Sequence, residues 1–318
     1  MKTSEIPTCP KLKNNNYIPC LPDKIRIILT EGIIEPFITR SILLDISKEL
    51  KLEISTLKKY LTMKKYPIFF IKKLKHKVRM ENFYELIENN SPLFFSKWKK
   101  VKLPSYLTPK IAYFVGYLQG DGSIESNKKR INFCDECLSQ INRINQLSLE
   151  LFGVKGRIEE KRTPLSKKAM YRLEIGSSVI NSYLHNIFMV NRGIKTNLRI
   201  PKEFSGDKEI LKWYIIGLFD ADGTLPKNPN TAKQLFIDIT FKDKCFIEQI
   251  KEALEVFGIV TLNPYCRIAK SPNSDYISRT WELRIRKKQD IISFLKKVGF
   301  SHPDKRLRAE KLLKYVHQ

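Results

Sequence analysis

Two aspartates, Asp121 and Asp222, stand about a hundred residues apart in nearly the same local sequence. The first closes Ile111 to Ser123, IAYFVGYLQGDGS, and the second closes Tyr214 to Thr224, YIIGLFDADGT. Each run reads as a short apolar helix with one glycine in its middle, ended by a small residue, an aspartate and a glycine. A helix that stops at Asp-Gly is ordinary capping chemistry, so one copy would say little. Two copies signal an internal duplication that sets one carboxylate at the end of each of two matching helices. A symmetry-related carboxylate pair is what metal-dependent phosphodiester hydrolysis uses.

The same runs say how the acids are positioned. Gly116 and Gly120 are four apart, as are Gly217 and Ala221, so each pair lies on one helical face. Faces without bulky side chains let two backbones approach closely. The spacing therefore predicts that the two helices pack on each other along these faces and that Asp121 and Asp222 meet at the bottom of the seam. That place is unfavourable for anions, because helix C-termini are partly negative and two carboxylates repel. Bound divalent cations would offset both terms.

This doublet resembles the LAGLIDADG homing endonucleases in their two-repeat, single-chain form. The signature falls on Phe114 to Gly122 in the first copy and on Ile215 to Gly223 in the second. The resemblance implies that Asp121 and Asp222 are the metal-binding acids, with Gly120 and Ala221 beside them in the ligand set. The implied cofactor is Mg²⁺ or Mn²⁺. Gln119 stands where the second copy has Asp220, a position that varies in the family and is not its metal ligand. The resemblance covers roughly residues 106 to 318 and implies an α+β fold: two pseudo-symmetric αββαββα repeats, each laying a saddle of antiparallel strands into the DNA major groove.

Periodicity supports that outline. After the first motif, strands are expected at Arg130–Phe133, Arg157–Arg162 and Met170–Ile175, with helices at Cys137–Phe152 and Ser178–Val190. The second repeat repeats the order, with strands at Gln234–Phe241, Leu262–Ile268 and Thr280–Ile285. Its helices are expected at Phe246–Phe257, Asp290–Val298 and Lys305–Val316, and RIPKEF (Arg199–Phe204) joins the halves. The strands alternate charged and apolar side chains, as a sheet with one solvated face should. Arg130, Arg157, Lys161, Arg172, Arg267, Arg284 and Arg286 are the expected DNA contacts of these strands, arginine being suited to phosphates and guanine edges. Lys242, between a strand and a helix, sits where many family members carry a basic residue near the active site, so it is a third candidate catalytic residue. Cys134 occupies the matching place in the first repeat, which makes the half-sites unequal unless Lys128 or Lys129 substitutes.

The rest of the chain adds a partner and a second unit. The 318 residues carry a formal net charge of +25, an excess that an anionic partner such as nucleic acid would screen. No run of about eighteen apolar residues reaches membrane-span length, and the first residues, MKTSEIPTCPKLKNNN, lack the apolar core of a signal peptide. An intracellular place, cytoplasmic or on the nucleoid, with reduced cysteines is expected. Cys134 and Cys137 form a lone C-x-x-C without a second pair, read as core cysteines at a strand-to-helix junction. Residues 1–104 precede both repeats (105–205 and 206–318) and are expected to form a separate, mainly helical unit. Within it Ile46 to Leu61 fits a helix–turn–helix pattern, with Ser55 or Thr56 at the start of the second helix and Lys58, Lys59, Lys64 and Lys65 presented by it. Lys51 stands where the turn usually has glycine. The basic run Ile71 to Arg79, with Lys72 and Lys73, is expected to follow a DNA backbone, and the proline-flanked stretch from Ser91 to Pro104 to act as a linker.

The function expected from these features is a monomeric, sequence-specific, metal-dependent double-strand DNA endonuclease. The family resemblance implies a long asymmetric target cut across the minor groove to leave 3′ overhangs. An RNA-splicing maturase or a non-catalytic nucleic-acid-binding regulator on the same scaffold is the alternative. An intein is not expected, since the chain opens on Met1 with no leading Cys or Ser block.

Overall fold

The N-terminal third is mainly helical, as expected, with four short strands among its helices. The computed structural model describes residues 18, 21, 23, 25–29, 33–90, 93–96, 99–125, 130–162, 169–270 and 277–317. In it β1 (Arg26–Ile28), β2 (Lys65–Pro67), β3 (Leu93–Ser96) and β4 (Lys99–Lys102) form an antiparallel sheet in the order β2-β1-β3-β4. Three or four residues are too few for alternation to register in sequence, which is why these strands were not expected. Around the sheet lie a 3-10 turn (Glu35–Phe37) and helices α1 (Arg40–Leu50), α2 (Ile54–Met63), α3 (Ile68–Val78) and α4 (Phe83–Asn90). Lys51 takes the left-handed conformation between α1 and α2 at φ 51°, so the turn keeps its geometry without glycine. The stretch read as a linker is the β3–β4 hairpin, which docks on the first repeat: Tyr183 Oη donates to Pro104 O at 2.9 Å and Lys99 Nζ to Gly176 O at 3.3 Å. Lys97 and Trp98 lie outside the described residues.

The first repeat follows the expected order: α5 (Pro109–Gly120), β5 (Gly122–Ile124), β6 (Arg130–Asp135), α6 (Leu138–Phe152), β7 (Arg157–Lys161), β8 (Met170–Gly176) and α7 (Ser178–Phe188). Thr108 caps α5 by accepting from Ile111 N, and Pro109 fills the first turn, where no N–H is needed. Gly153 stops α6 at φ +68°. A short α8 (Lys202–Ser205) leads into α9 (Lys208–Asp222), β9 (Ile237–Phe241), α10 (Lys244–Glu255), β10 (Tyr265–Lys270), β11 (Ile277–Ile285), α11 (Lys288–Lys297) and α12 (Pro303–His317). The sheets are ordered β5-β6-β8-β7 and β9-β11-β10. The counterpart of β5 in the second repeat is one bridge, Thr224 to Asp238, and Pro226, which has no N–H to give, follows closely.

The axis of the molecule is the pair α5 and α9. From Ile111 to Gln119 every residue of α5 is buried, so this helix is a core element with no solvated face. A Cβ built on Gly116 would lie 2.2 Å from Tyr214 O, and one built on Gly217 would lie 2.4 Å from Tyr113 O. The backbones therefore touch, and only glycine fits at either point. Two polar contacts of matching design cross the seam. Tyr113 Oη donates to Asp220 Oδ2 at 2.7 Å, and Tyr214 Oη donates to Gln119 Oε1. Each tyrosine stands eight residues before its own motif aspartate.

Gly116→Ala is expected to force α5 and α9 apart and to destabilise the fold by about 3 kcal/mol, the upper range for overpacking a tight core. Gly206→Ala, whose added Cβ meets nothing within 4 Å, is expected to be near neutral. Urea denaturation of both variants checks this; a wild-type midpoint for Gly116→Ala would contradict the close packing.

Candidate functional site

The seam delivers both acids to one place. Asp121 follows the last turn of α5, its N–H donating to Tyr117 O, and Asp222 is the last residue of α9. A Cβ on Gly120 would lie 2.3 Å from Ala221 Cβ and 2.8 Å from Asp222 Oδ2. The missing side chain at Gly120 is thus what lets the second carboxylate lie against the first helix. Burial, and then the neighbouring Asp121, push the Asp222 pKa up to about 6. Asp121 reaches solvent, yet the protein packed about it raises its pKa too; Lys305 and Lys195 oppose that rise and Asp135 adds to it.

Two lysines that sequence reasoning missed face these acids. Lys195 follows α7 and Lys305 lies in the first turn of α12, so each comes after the last sheet of its own repeat. Lys195 Nζ donates to Gly120 O, and Lys305 Nζ donates to Phe219 O at 3.1 Å and Ala221 O at 2.6 Å. Both ammonium groups neutralise a helix C-terminus, where cations are favoured. Burial lowers both lysine pKa values. The strongest opposing carboxylate is Asp222 for Lys195 and Asp121 for Lys305, so each lysine serves the acid of the other repeat. No motif marks them; the only sequence signal is a lysine after the closing helix of each repeat.

Two carboxylates and the carbonyls of Gly120 and Ala221 form an all-oxygen donor set, which suits a hard cation such as Mg²⁺ or Mn²⁺. Those carbonyls accept the lysines in this structure, so a cation using them would displace Lys195 and Lys305 from these bonds. Lys242 is exposed and lines a cavity of about 860 Å³ together with Gly120, Asp222, Lys195 and Trp281. Cys134, its counterpart, is exposed, and Lys128 and Lys129 lie outside the described residues. Cys134 and the half-buried Cys137 are not core cysteines, because β6 turns Cys134 toward the open face of its sheet.

The strand residues share faces as expected, but the faces are not simply solvated. Arg172 pairs across with Cys134 and Glu159, and Arg157 with Glu174, which puts Arg130, Arg157, Lys161 and Arg172 on one side of the first sheet. Acids are interleaved there: Arg130 meets Glu174 at 2.9 Å, and Arg172 Nη2 reaches Asn132 Oδ1 at 2.7 Å and Glu125 Oε1 at 3.3 Å. In the second sheet Glu282 is 2% exposed, beneath Arg284 and Arg267. Arg284 also pairs with Asp238 at 3.1 Å and lies over the Phe236 ring at 4.5 Å. Arg286 stands exposed just beyond β11. In the N-terminal unit Lys58 and Lys59 are exposed on α2. By contrast Lys72 pairs with Asp23 at 2.8 Å, Lys73 with Glu49 at 2.9 Å and Lys64 with Glu35 at 2.8 Å. The expected basic run is therefore a packed helix with its charges answered internally: Ile68, Phe70, Ile71 and Leu74 of α3 are buried. Ser55 and Thr56 lie inside α2, whose N-cap is Glu53.

The acid pair should leave a signature in stability. An acid whose pKa is higher folded than unfolded binds its proton more tightly when folded, so stability falls as pH rises from 3.8 through about 6. Removing that charge with Asp222→Asn is expected to raise metal-free stability by about 2 kcal/mol above pH 6, from roughly 1.4 kcal/mol per unit with a discount for solvent. Below pH ~4 the gain should vanish. Asp238, also raised to about 6, contributes equally to both proteins and cancels. Mg²⁺ should stabilise the wild type and not the Asp121→Asn, Asp222→Asn protein. Urea titrations across pH, with and without Mg²⁺, measure all three effects.

Among the described residues no helix is long and apolar enough to cross a membrane. The chain is similar to glutamine–fructose-6-phosphate aminotransferase of Methanocaldococcus jannaschii, 29% identical over 233 residues that make up 73% of this chain and 20% of that protein. The replication factor C small subunit of the same organism is 25% identical over 211 residues, which make up 65% of this chain and 10% of that one. The chain thus spans a fifth or less of the length of these curated relatives. Among solved structures, the homing endonuclease I-WcaI bound to its DNA recognition sequence superposes with a TM-score of 0.44 at 16% identity, covering 64% of this chain and 87% of that one. The N-terminal LAGLIDADG domain of WhiA gives 0.42 at 17% identity, covering 61% and 82%. A family model described as a LAGLIDADG-like domain matches residues 108–187 and again 209–299. These two matches take in more than half of the chain and each contains one motif helix, so the protein belongs to the LAGLIDADG family, in its two-repeat, single-chain form.

Proposed function

We propose that the protein is a sequence-specific, divalent-metal-dependent endonuclease that cuts both strands of a long asymmetric DNA target and acts as a monomer. The observation that carries this reading is the meeting of Asp121 and Asp222 at the base of the α5–α9 seam, each faced by a half-buried lysine of the other repeat. Mg²⁺ held by both aspartates, with the Gly120 and Ala221 carbonyls, would activate water and stabilise the leaving oxygen. The chain's own residues do the rest. Lys195 and Lys305, once released from their carbonyls, stand close enough to the acids to offset the negative charge that builds on the attacked phosphate. Lys242 adds a positive charge at the rim of the same cavity in the second half-site, where the first half-site offers Cys134. The two strands are then cut at unequal rates.

Binding would come from the two sheet faces. Arg130, Arg157, Lys161 and Arg172 in the first repeat and Arg267, Arg284 and Arg286 in the second are the proposed contacts, with their acidic neighbours limiting which bases each arginine accepts. Residues 1–104 are proposed as an auxiliary DNA-binding unit working through the exposed Lys58 and Lys59 of α2. Lys72 and Lys73, held by Asp23 and Glu49, contribute less.

The decisive experiment incubates the protein with Mg²⁺ and a randomised duplex library and sequences the cut ends. On a target so found, Asp121→Asn and Asp222→Asn are each expected to abolish double-strand cleavage with DNA affinity nearly unchanged. Lys195→Met and Lys305→Met are expected to slow the cut by about 10²-fold or more, the scale for losing one preorganised charge. Specific binding without any cut would favour the non-catalytic reading of the same scaffold.

The salt dependence of binding tests the surface separately. Counterion release predicts a log–log slope of roughly −0.9 per neutralised phosphate. Lys58→Ala with Lys59→Ala should make the slope shallower by about one to two and weaken binding, while the cleavage rate of bound DNA stays the same. An unchanged slope would remove α2 from the interface.

A further inference from the structure

Away from the paired acids, one mixed group of metal-ligating side chains among the described residues bridges the repeats. Cys137, the N-cap of α6, comes from the first repeat; His302 and Asp304, at the entry to α12, come from the second. Cys137 Sγ, a ring nitrogen of His302 and a carboxylate oxygen of Asp304 all lie within 4.8 Å of one another. We propose that these three residues form a transition-metal site of the zinc class, distinct from the oxygen-only acid pair, which ties the second repeat to the first.

The imidazole is already held as a metal-ligating histidine is held. His302 is 5% exposed, and its Nε2 lies 3.1 Å from Asp135 Oδ2. Asp135 also accepts from Tyr117 Oη and, at 2.7 Å, from Cys137 N. On the other side of the ring, Nδ1 accepts the Asp304 N–H at 3.2 Å. Backbone N–H can only donate, so Nδ1 is the ring nitrogen without a proton and the ring proton sits on Nε2, against a carboxylate; an ion at Nδ1 takes the place of the Asp304 N–H. A carboxylate behind an imidazole fixes the tautomer and raises the basicity of the ligating nitrogen. Tyr117 and Cys137 N bind that same carboxylate, so the support is itself oriented.

The donor chemistry selects the ion. Thiolate and imidazole favour Zn²⁺ over Mg²⁺, and a three-residue set leaves a fourth position for water. Asp304 is exposed and Cys137 half-buried, which gives an ion a path from solvent. Metal–ligand bonds of about 2.0–2.3 Å require the ligand atoms to draw closer than the present spread. Rotation of the Cys137 and Asp304 side chains supplies this, with Cys137 Sγ leaving Ser139 Oγ, 3.0 Å away. The thiol proton passes to solvent as the ion binds. The site requires no DNA, so it stands or falls apart from the nuclease reading.

The test titrates metal-stripped, full-length protein with Co²⁺ under reducing conditions and follows the thiolate-to-cobalt charge-transfer absorption. One equivalent should saturate the band, Zn²⁺ should displace it, and Mg²⁺ should not. Cys137→Ser should abolish the band, Cys134→Ser should leave it, and Asp304→Asn should weaken affinity at least tenfold. Zn²⁺ should raise Tm in the wild type and not in Cys137→Ser. Asp304 is exposed, so Asp304→Asn keeps the experiment decisive even where a variant of the buried His302 fails to fold. Absence of the band in the wild type, or its survival in Cys137→Ser, overturns the proposal.

Discussion

Everything in the two-repeat part of the molecule depends on two backbones being allowed to touch. At Gly116 and Gly217 the carbonyl of the opposite helix occupies the space a Cβ would need. That contact fixes the separation and direction of α5 and α9, and with them the positions of their last residues. Two carboxylates are driven together as a result, in a place where dipoles and like charge both oppose ionisation. The packing holds the acids where burial first, and then the like charge of Asp121, disfavour ionisation of Asp222, and its pKa is raised accordingly.

The rest of the seam manages this constraint by pseudo-symmetry with local exceptions. Tyr113 and Tyr214 reach across to Asp220 and Gln119, one from each helix. The difference between Asp220 and Gln119 follows from what else each must satisfy. Asp220 accepts the N–H of Ser301 at 2.9 Å, whereas Gln119 donates Nε2–H to Arg199 O at 3.2 Å. An acceptor faces a donor in one half, and a donor faces an acceptor in the other. A carboxylate at 119 would have no hydrogen to offer the Arg199 carbonyl, so the departure between the motifs is dictated by the backbone behind each one.

Much of this was legible in the sequence, because small-residue spacing, a duplicated acid and glycine stops are local signals. Thr108-Pro109 and Gly153 mark the start of α5 and the end of α6 in the residues themselves. The misses share a cause: they depend on partners distant in the chain. Three-residue strands such as β1 exist because β2 and β3 flank them, and the β3–β4 hairpin looked like a linker because prolines and lysines mask its pairing. Lys72 and Lys73 looked free because Asp23 and Glu49 are remote in sequence. Lys195 and Lys305 are invisible as a pair for the same reason, since only the fold brings them to Asp222 and Asp121.

Beyond the α5–α9 seam, one short segment of the second repeat bonds to both halves. Ser301 O accepts from Arg143 of α6 at 2.7 Å, Ser301 N binds Asp220, His302 meets Asp135, and Lys305 holds the end of α9. Three residues of this segment thus reach α6 and β6 of the first repeat and the end of α9 in the second. In the first repeat the corresponding stretch before Lys195 turns inward instead: Arg192 binds Asn181 Oδ1 at 2.6 Å and Ser182 Oγ at 3.2 Å, both within its own repeat. The duplication therefore supplies a symmetric acid pair packed along one seam, while the hydrogen bonds outside the seam differ between the two repeats. A disturbance at Ser301 to Lys305 reaches both acids at once, whereas one at Arg192 stays within its own half.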